Sequence, residues 1–246
     1  MIQKNPFIDK KFFKENGYLI LKNIIDTKTI LQINKAANKM ITQFKKGINK
    51  NQNLKNSSFK KHGNISQKGK MFLGNQCEFY PQLNNYAKSN FLKKICQQLL
   101  GKKIYLFNEQ IVNKEPNSDS RFSWHQDSGY INHKHKPYVS IWLSLIETDK
   151  NNGALSLIPT NLKTIHKPKN HVWQENSKDL GISVNEKKAI LCEVSSGSLV
   201  IFSSLTPHSS GPNYSNKARK AYLSQYSSVP IIDPFNGIQR SRAFLL

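Results

Sequence analysis

Two short segments carry residue types and spacings that can do chemistry: Trp124-His125-Gln126-Asp127 and, far along the chain, Pro207-His208 followed by Arg219. In extended backbone, residues two apart project from the same side. His125 and Asp127 can therefore offer an imidazole nitrogen and a carboxylate oxygen to one ion. A third ligand from His208 would complete one triangular face and leave the opposite positions open. That set suits ferrous iron, which can then hold a second molecule together with oxygen. Structural zinc would want a closed tetrahedron, usually including thiolates. The triplet alone is weak, since about 0.2 His-x-Asp occurrences are expected by chance in a chain of this composition. Trp124 adds a large apolar wall, and Pro207 restricts Thr206 to extended backbone. If Gly211-Pro212-Asn213-Tyr214-Ser215 turns the chain about Asn213 and Tyr214, position 208 lies opposite position 219. Such a hairpin would put a guanidinium fork beside the metal, ready for a carboxylate. The competing reading of Arg219 is a surface salt bridge. His133 and His135 sit in a Lys/Asn/Pro loop and are expected to be solvated, and His62, His166 and His171, also in polar stretches, are assigned no role.

To position these residues the chain needs short strands, and its second part supplies them. Runs at 104–107, 138–145, 154–158, 189–194, 198–202 and 221–229 are β-type in composition. Turns such as Asn151-Asn152-Gly153 and Ser195-Ser196-Gly197 separate them. Before them, residues 10–16 read as a short helix stopped by Gly17, and 18–21 as a strand. A longer helix is capped by Asp26 and striped with Ile30, Ile33, Ala37, Met40, Ile41 and Phe44. Residues 81–100 read as another helix, stopped by Gly101. The stripes on both are packing faces. The Lys/Asn/Ser/Gly-rich stretch 45–70 is expected to be a mobile loop, and 159–186 an excursion between strands. The pattern predicts one domain over 1–246, mainly β with flanking α-helices. Residues 1–101 would be a mostly helical bracing part and 102–230 a double-sheet β-barrel or jelly-roll core.

The formal net charge of +22 invites a nucleic-acid reading. Arg, however, occurs only at 121, 219, 240 and 242, so the charge is almost all Lys, whereas nucleic-acid sites favour Arg forks and stacked aromatics. A solvated basic surface is the better account, and it is compatible with an anionic small-molecule substrate. Cys77, Cys96 and Cys192 are odd in number and show no C-x-x-C spacing, which favours reduced thiols and a cytoplasmic protein. The polar start and the lack of a long apolar run predict neither a secretory signal nor a membrane span.

At this point the chain resembles the phytanoyl-CoA dioxygenase family of iron(II)/2-oxoglutarate oxygenases. Residues 12–25, Trp124-His125-Gln126-Asp127, and 139–145 with Asn152-Gly153-Ala154-Leu155 and Ile158-Pro159 are similar to its blocks. So are 196–202, then His208-Ser209-Ser210-Gly211-Pro212-Asn213, Ser215 and Arg219. One departure is Pro159-Thr160-Asn161-Leu162, where the family usually continues Gly-Ser-His after its Pro. The resemblance implies a double-stranded β-helix of the jelly-roll or cupin type, with His125, Asp127 and His208 on iron. Arg219 would hold the distal carboxylate of 2-oxoglutarate with help from Ser210, and Trp142 would line the cosubstrate pocket. Gln126 and Asn213 would be polar residues near cofactor or substrate. A carboxylate at 127, where halogenating relatives carry a small residue, implies hydroxylation.

The expected function is thus hydroxylation of an unactivated C–H bond with iron(II), 2-oxoglutarate and O2, releasing succinate and CO2. Two other classes remain open. One is a catalytically silent β-barrel module that binds an acidic partner. The other is a cupin-type hydrolase or isomerase on zinc or manganese, which would have no use for Arg219. Oligomeric state is not legible in the sequence.

Overall fold

The computed structural model describes residues 6–46, 65–67, 69–232 and 244–246. Alternation along three central strands, β6 (Val139–Ser144), β11 (Leu199–Ser203) and β13 (Arg219–Ser227), determines the layering. Val139, Ile141, Leu143, Leu199, Ile201, Tyr222 and Tyr226 join a core shared with the helices. Their neighbours Trp142, Val200, Phe202, Ala221 and Leu223 face a second core between the sheets. Because a pleated strand sends successive side chains to opposite faces, a strand covered on both faces is apolar almost throughout.

The larger sheet has eight strands. Besides the central three it contains β1 (Tyr18–Leu21), β2 (Ile65–Gln67), β3 (Lys70–Gly74), β4 (Tyr105–Lys114) and β14 (Phe244–Leu245). Its order is β1-β11-β6-β13-β4-β3-β2, with β14 added against β4. The smaller sheet is β10-β7-β12-β5, made of Ile190–Cys192, Leu155–Leu157, His208–Ser210 and Phe122–His125. From β4 to β7 and from β10 to β13 the chain alternates between sheets, as a jelly roll requires. A hairpin of β8 (Val172–Gln174) and β9 (Asp179–Gly181) is inserted between β7 and β10. Among the described residues the two sheets do not close into a barrel, so of the expected double-sheet barrel or jelly roll the structure shows the jelly roll.

The helices brace the large sheet. Asp9 and Asp26 cap α1 (Lys10–Asn16) and α2 (Thr27–Lys45) through bonds from Phe12 N and Thr29 N. Gly17, at φ +77°, ends α1 where an added Cβ would lie 2.5 Å from Thr206 Oγ1. The helix expected over 81–100 is two helices, α3 (Pro81–Ala87) and α4 (Asn90–Leu100). Ser89 accepts from Leu92 N and so starts a new helix where the sequence pattern alone runs on. The expected mobile loop falls largely on residues outside those described. At its ends α2 runs to Lys45, while 65–67 and Lys70 belong to strands.

Candidate metal centre

β5 ends at His125 and β12 begins at His208, directly opposite each other in register, with ring centroids 4.1 Å apart. Gln126 stays extended at φ −117°, ψ 134°, which returns Asp127 to the same side as His125. Asp127 itself opens a short 3-10 turn, Asp127–Tyr130, rather than continuing the strand. One ligating atom from each of His125, Asp127 and His208 lies within 4.8 Å of the other two. Asp127 Oδ1 is 3.9 Å from His125 Nε2 and 3.6 Å from His208 Nε2. All three residues are buried.

Hydrogen bonds prepare each group for a metal. His125 Nδ1 lies 2.7 Å from the Ser123 carbonyl, and His208 Nδ1 lies 3.1 Å from that of Thr206. A carbonyl only accepts, so both rings donate from Nδ1, which leaves Nε2 as the nitrogen turned inward for a metal. Burial, and then the neighbouring His208, push the His125 imidazole down to about 4, which keeps it in the neutral ligand form. The other oxygen of Asp127, Oδ2, accepts from Ser140 Oγ at 2.5 Å and Gln225 Nε2 at 2.9 Å. Asn108 Nδ2 donates to Gln225 Oε1 at 2.8 Å, which fixes that amide in turn. Asp127 is thereby held with one oxygen toward the histidines and the other tied to the wall.

Arg219 is 1% exposed and sits with its guanidinium 5.6 Å from the Trp142 ring centroid. Nη2 donates to the Gly153 carbonyl at 2.9 Å and to Ser210 Oγ at 3.4 Å, while Nε and Nη1 have no partner among the described residues. Burial lowers this guanidinium to about 9, leaving it charged at neutral pH. Unsatisfied N–H donors on a buried cation are costly unless a ligand meets them, and a guanidinium makes its strong, charge-assisted bonds to carboxylates. One cavity of about 400 Å³ touches Arg219, Ser210, Trp142 and all three residues of the His-Asp-His cluster.

The route by which Arg219 arrives differs from the expected hairpin. β12 pairs with β5 and β7, setting His208 against His125 and Leu157. Arg219, on β13 in the other sheet, stands opposite Lys114. The turn at 211–218 therefore crosses between sheets, and the two residues meet across the sandwich instead of side by side on a ladder. Gln126 and Asn213 do not line the cavity. Gln126 donates to Leu205 O and accepts from Lys169 N. Asn213 bonds the carbonyls of Lys114, Glu115 and Lys217 and accepts from Ser215. Their amides brace loops around the site.

Several participants were invisible in the sequence. Lys70, Lys114 and Arg219 stand opposite one another on β3, β4 and β13, all three almost fully buried. Lys70 pairs with Asp179 at 3.0 Å. Lys114 donates to Ser210 O and Gly211 O, and burial, then Arg219 and Lys70, push it well below the usual lysine range. Both ammonium groups lie over the Phe122 ring, 4.6 and 5.0 Å from its centroid. His135, expected to be solvated, meets Ser128 Oγ at 3.0 Å, and His171, assigned no role, accepts from Gln126 N at 2.9 Å. Nothing local distinguishes these lysines and histidines from the many others in polar stretches.

The model of the phytanoyl-CoA dioxygenase (PhyH) family matches residues 13–221. The chain belongs to that family. It is 24% identical over 233 residues to the peroxisomal phytanoyl-CoA dioxygenase of Homo sapiens, covering 89% of this chain and 68% of that one. It is also 24% identical over 159 residues to a probable alpha-ketoglutarate-dependent hypophosphite dioxygenase of Stutzerimonas stutzeri, covering 61% of this chain and only 54% of the relative. Among solved structures, EvdO2 from Micromonospora carbonacea var. aurantiaca in complex with 2-oxoglutarate superposes with a TM-score of 0.70. That match has 18% identity and covers 97% of this chain and 99% of the other. EctD from S. alaskensis with 2-oxoglutarate and 5-hydroxyectoine gives 0.69 at 17% identity, over 95% and 80%. At such identities the likeness is one of fold. The segment where this chain departs from the PhyH family's usual Gly-Ser-His docks on α1, with Thr160 N bonding Asn16 O and Leu162 N bonding Lys14 O. It does not line the cavity.

Proposed function

We propose that this chain is an iron(II)- and 2-oxoglutarate-dependent dioxygenase that hydroxylates an unactivated C–H bond of a small organic substrate. One observation carries the reading. A buried guanidinium with two nitrogens unpartnered among the described residues shares a cavity with a His-Asp-His cluster whose ligating atoms converge. A zinc or manganese hydrolase on the same cluster would have no use for Arg219, and a silent module would need neither.

His125, Asp127 and His208 are the ligands in this reading. Ser123, Thr206, Ser140 and Gln225 hold them in the tautomer and orientation that a metal takes. Arg219 and Ser210 receive the distal carboxylate of 2-oxoglutarate, and Trp142 forms a wall of its pocket. When bound, iron and cosubstrate supply the oxidation: substrate C–H, O2 and 2-oxoglutarate give C–OH, succinate and CO2, one oxygen atom entering each of the first two products. The anion that the cavity calls for is the cosubstrate itself, so the net charge of +22 does not require a charged substrate. We read residues 1–246 as one catalytic domain. The three cysteines, buried, odd in number and without C-x-x-C spacing, favour a reducing, cytoplasmic setting. No helix among the described residues is long and apolar enough to cross a membrane.

The test is anaerobic addition of 2-oxoglutarate to protein loaded with ferrous iron, watching for the visible charge-transfer band of the chelate. The reading expects a band in the wild type and none in His208→Ala. Folded, iron-loaded wild type without a band would sink it.

A further inference from the structure

β4 slips by one residue inside the cavity wall. Gln225 of β13 faces Asn108, but the next pair is Tyr226 with Leu106, so Phe107 is the extra residue of a β-bulge. Strict alternation would send Phe107 to the helix side. The bulge instead brings both Phe107 and Asn108 to the cavity. Phe107 packs edge-on against Tyr138 with centroids 4.8 Å apart. With Ile131 and Ile231 these rings form an apolar cluster separate from both main cores. Phe107, Ile131 and Tyr138 all line the cavity, and the half-exposed Trp173 of β8 adds an apolar side chain to the lining.

Amides stand beside this patch. Asn108 and Gln110 share one face of β4, and Gln110 lies opposite Gly74, next to Asn75. Asn75 lines the cavity from a left-handed backbone at φ +56°. Such a conformation is tolerated by Asn more than by most residues and is often found at functional sites.

Among the described residues, no cation on the cavity wall is left over for an anion. Both lysines on the cavity wall already have partners: Lys70 is held by Asp179 and the carbonyls of Arg121 and Ser177, and Lys178 by Glu175. Lys114 does not line the cavity and donates to backbone carbonyls. In the loaded centre, iron(II), Asp127, the 2-oxoglutarate dianion and Arg219 sum to zero. A carboxylate or phosphate on the substrate would have to leave water without gaining a cation, which is unfavourable.

From this bulge, its aromatic cluster and the adjoining amides, we infer that the primary substrate is an uncharged, largely hydrocarbon molecule bearing hydroxyl or carbonyl groups. Its apolar body lies against Phe107, Ile131 and Tyr138, and its oxygens meet Asn75, Asn108 and Gln110. This inference rests on the oxygenase reading above and names its substrate class.

The experiment is calorimetric titration of protein carrying manganese(II) in place of iron. 2-Oxoglutarate is titrated first, followed by matched pairs of probes: 2-naphthylmethanol and 2-naphthoate, borneol and bornyl phosphate, decanol and decanoate. The uncharged member of at least one pair should bind tenfold or more tighter than its anionic partner. Phe107→Ala should lose at least tenfold of that affinity, and Phe107→Leu should keep most of it. If 2-oxoglutarate binds but no pair favours its uncharged member, the substrate class is wrong while the oxygenase reading stands. Equal loss in Phe107→Leu and Phe107→Ala would also overturn it, since the patch would then be acting through something other than apolar contact. Failure of 2-oxoglutarate itself to bind would remove both.

Discussion

At the scale of single residues, the centre separates groups that hold from groups that orient. His125→Ala, Asp127→Ala and His208→Ala each remove a proposed ligand, and each should abolish substrate-dependent succinate formation. Turnover surviving in any one of them would refute the ligand set. Gln225 touches no metal position; it donates to Asp127 Oδ2 and is itself anchored by Asn108. Gln225→Leu leaves Ser140 on that oxygen but frees the carboxylate to rotate, so iron affinity should fall by roughly 10–100-fold, the usual effect of losing a partner behind a ligand. Equilibrium dialysis against ferrous iron measures it, and an unchanged affinity would reduce Gln225 to filler. Arg219→Ala deletes charge-assisted bonds worth about 1.5–3 kcal/mol, so the apparent 2-oxoglutarate requirement should rise at least tenfold. An unaltered requirement in steady-state assays would mean the carboxylate binds elsewhere.

Elements fix where these groups stand, and the turn holding Gly153 is the sharpest case. Gly153 sits at φ +81°, its carbonyl accepts from Arg219, and an added Cβ would come within 2.7 Å of the Gly211 carbonyl oxygen. Gly153→Ala should therefore cost about 1–3 kcal/mol in stability from backbone strain alone. It should also raise the 2-oxoglutarate requirement, because the carbonyl that aims Arg219 must move. Denaturant unfolding together with a cosubstrate titration separates the two effects, and a variant normal in both would show that the turn relaxes freely. Such coupling marks the limit of what the sequence discloses. The convergence of His125, Asp127 and His208 was legible because His-x-Asp and a distant His are signals of residue type, and most core strands were legible from their β-type composition. Their partners were not. Period two fixes which face a side chain takes but not which strand lies opposite, and pairing between distant segments is decided by the whole fold. Hence Arg219 was expected beside His208 on one hairpin and instead faces it from the other sheet. The row Lys70–Lys114–Arg219 and the bulge at Phe107 exist only once the register is set. Gln126 and Asn213 show the complementary case, polar residues adjoining the motif whose amides turn to loop carbonyls.

For the whole molecule the governing quantity is the net charge of +22. Charge of one sign opposes compaction, and salt weakens that opposition over the Debye length, about 30 Å at 0.01 M and about 10 Å at 0.1 M. The thermal midpoint should therefore climb as sodium chloride is raised from low to near-physiological concentration. Each kcal/mol recovered is worth about 2–4 °C in a chain of this size. Inside the cavity the argument reverses in strength. Arg219 is almost fully buried and Lys70 is matched by Asp179, so screening reaches them little, and 2-oxoglutarate affinity should vary far less across the same salt range. Scanning calorimetry and cosubstrate titration on the same samples test both halves. A midpoint that falls with salt would show that the surface lysines stabilise the fold through attractive pairs. Cosubstrate affinity that collapses in parallel would mean that the diffuse surface field, rather than the buried fork, holds the carboxylate. The expected divergence of the two curves assigns the basic surface to solvation and the buried guanidinium to chemistry.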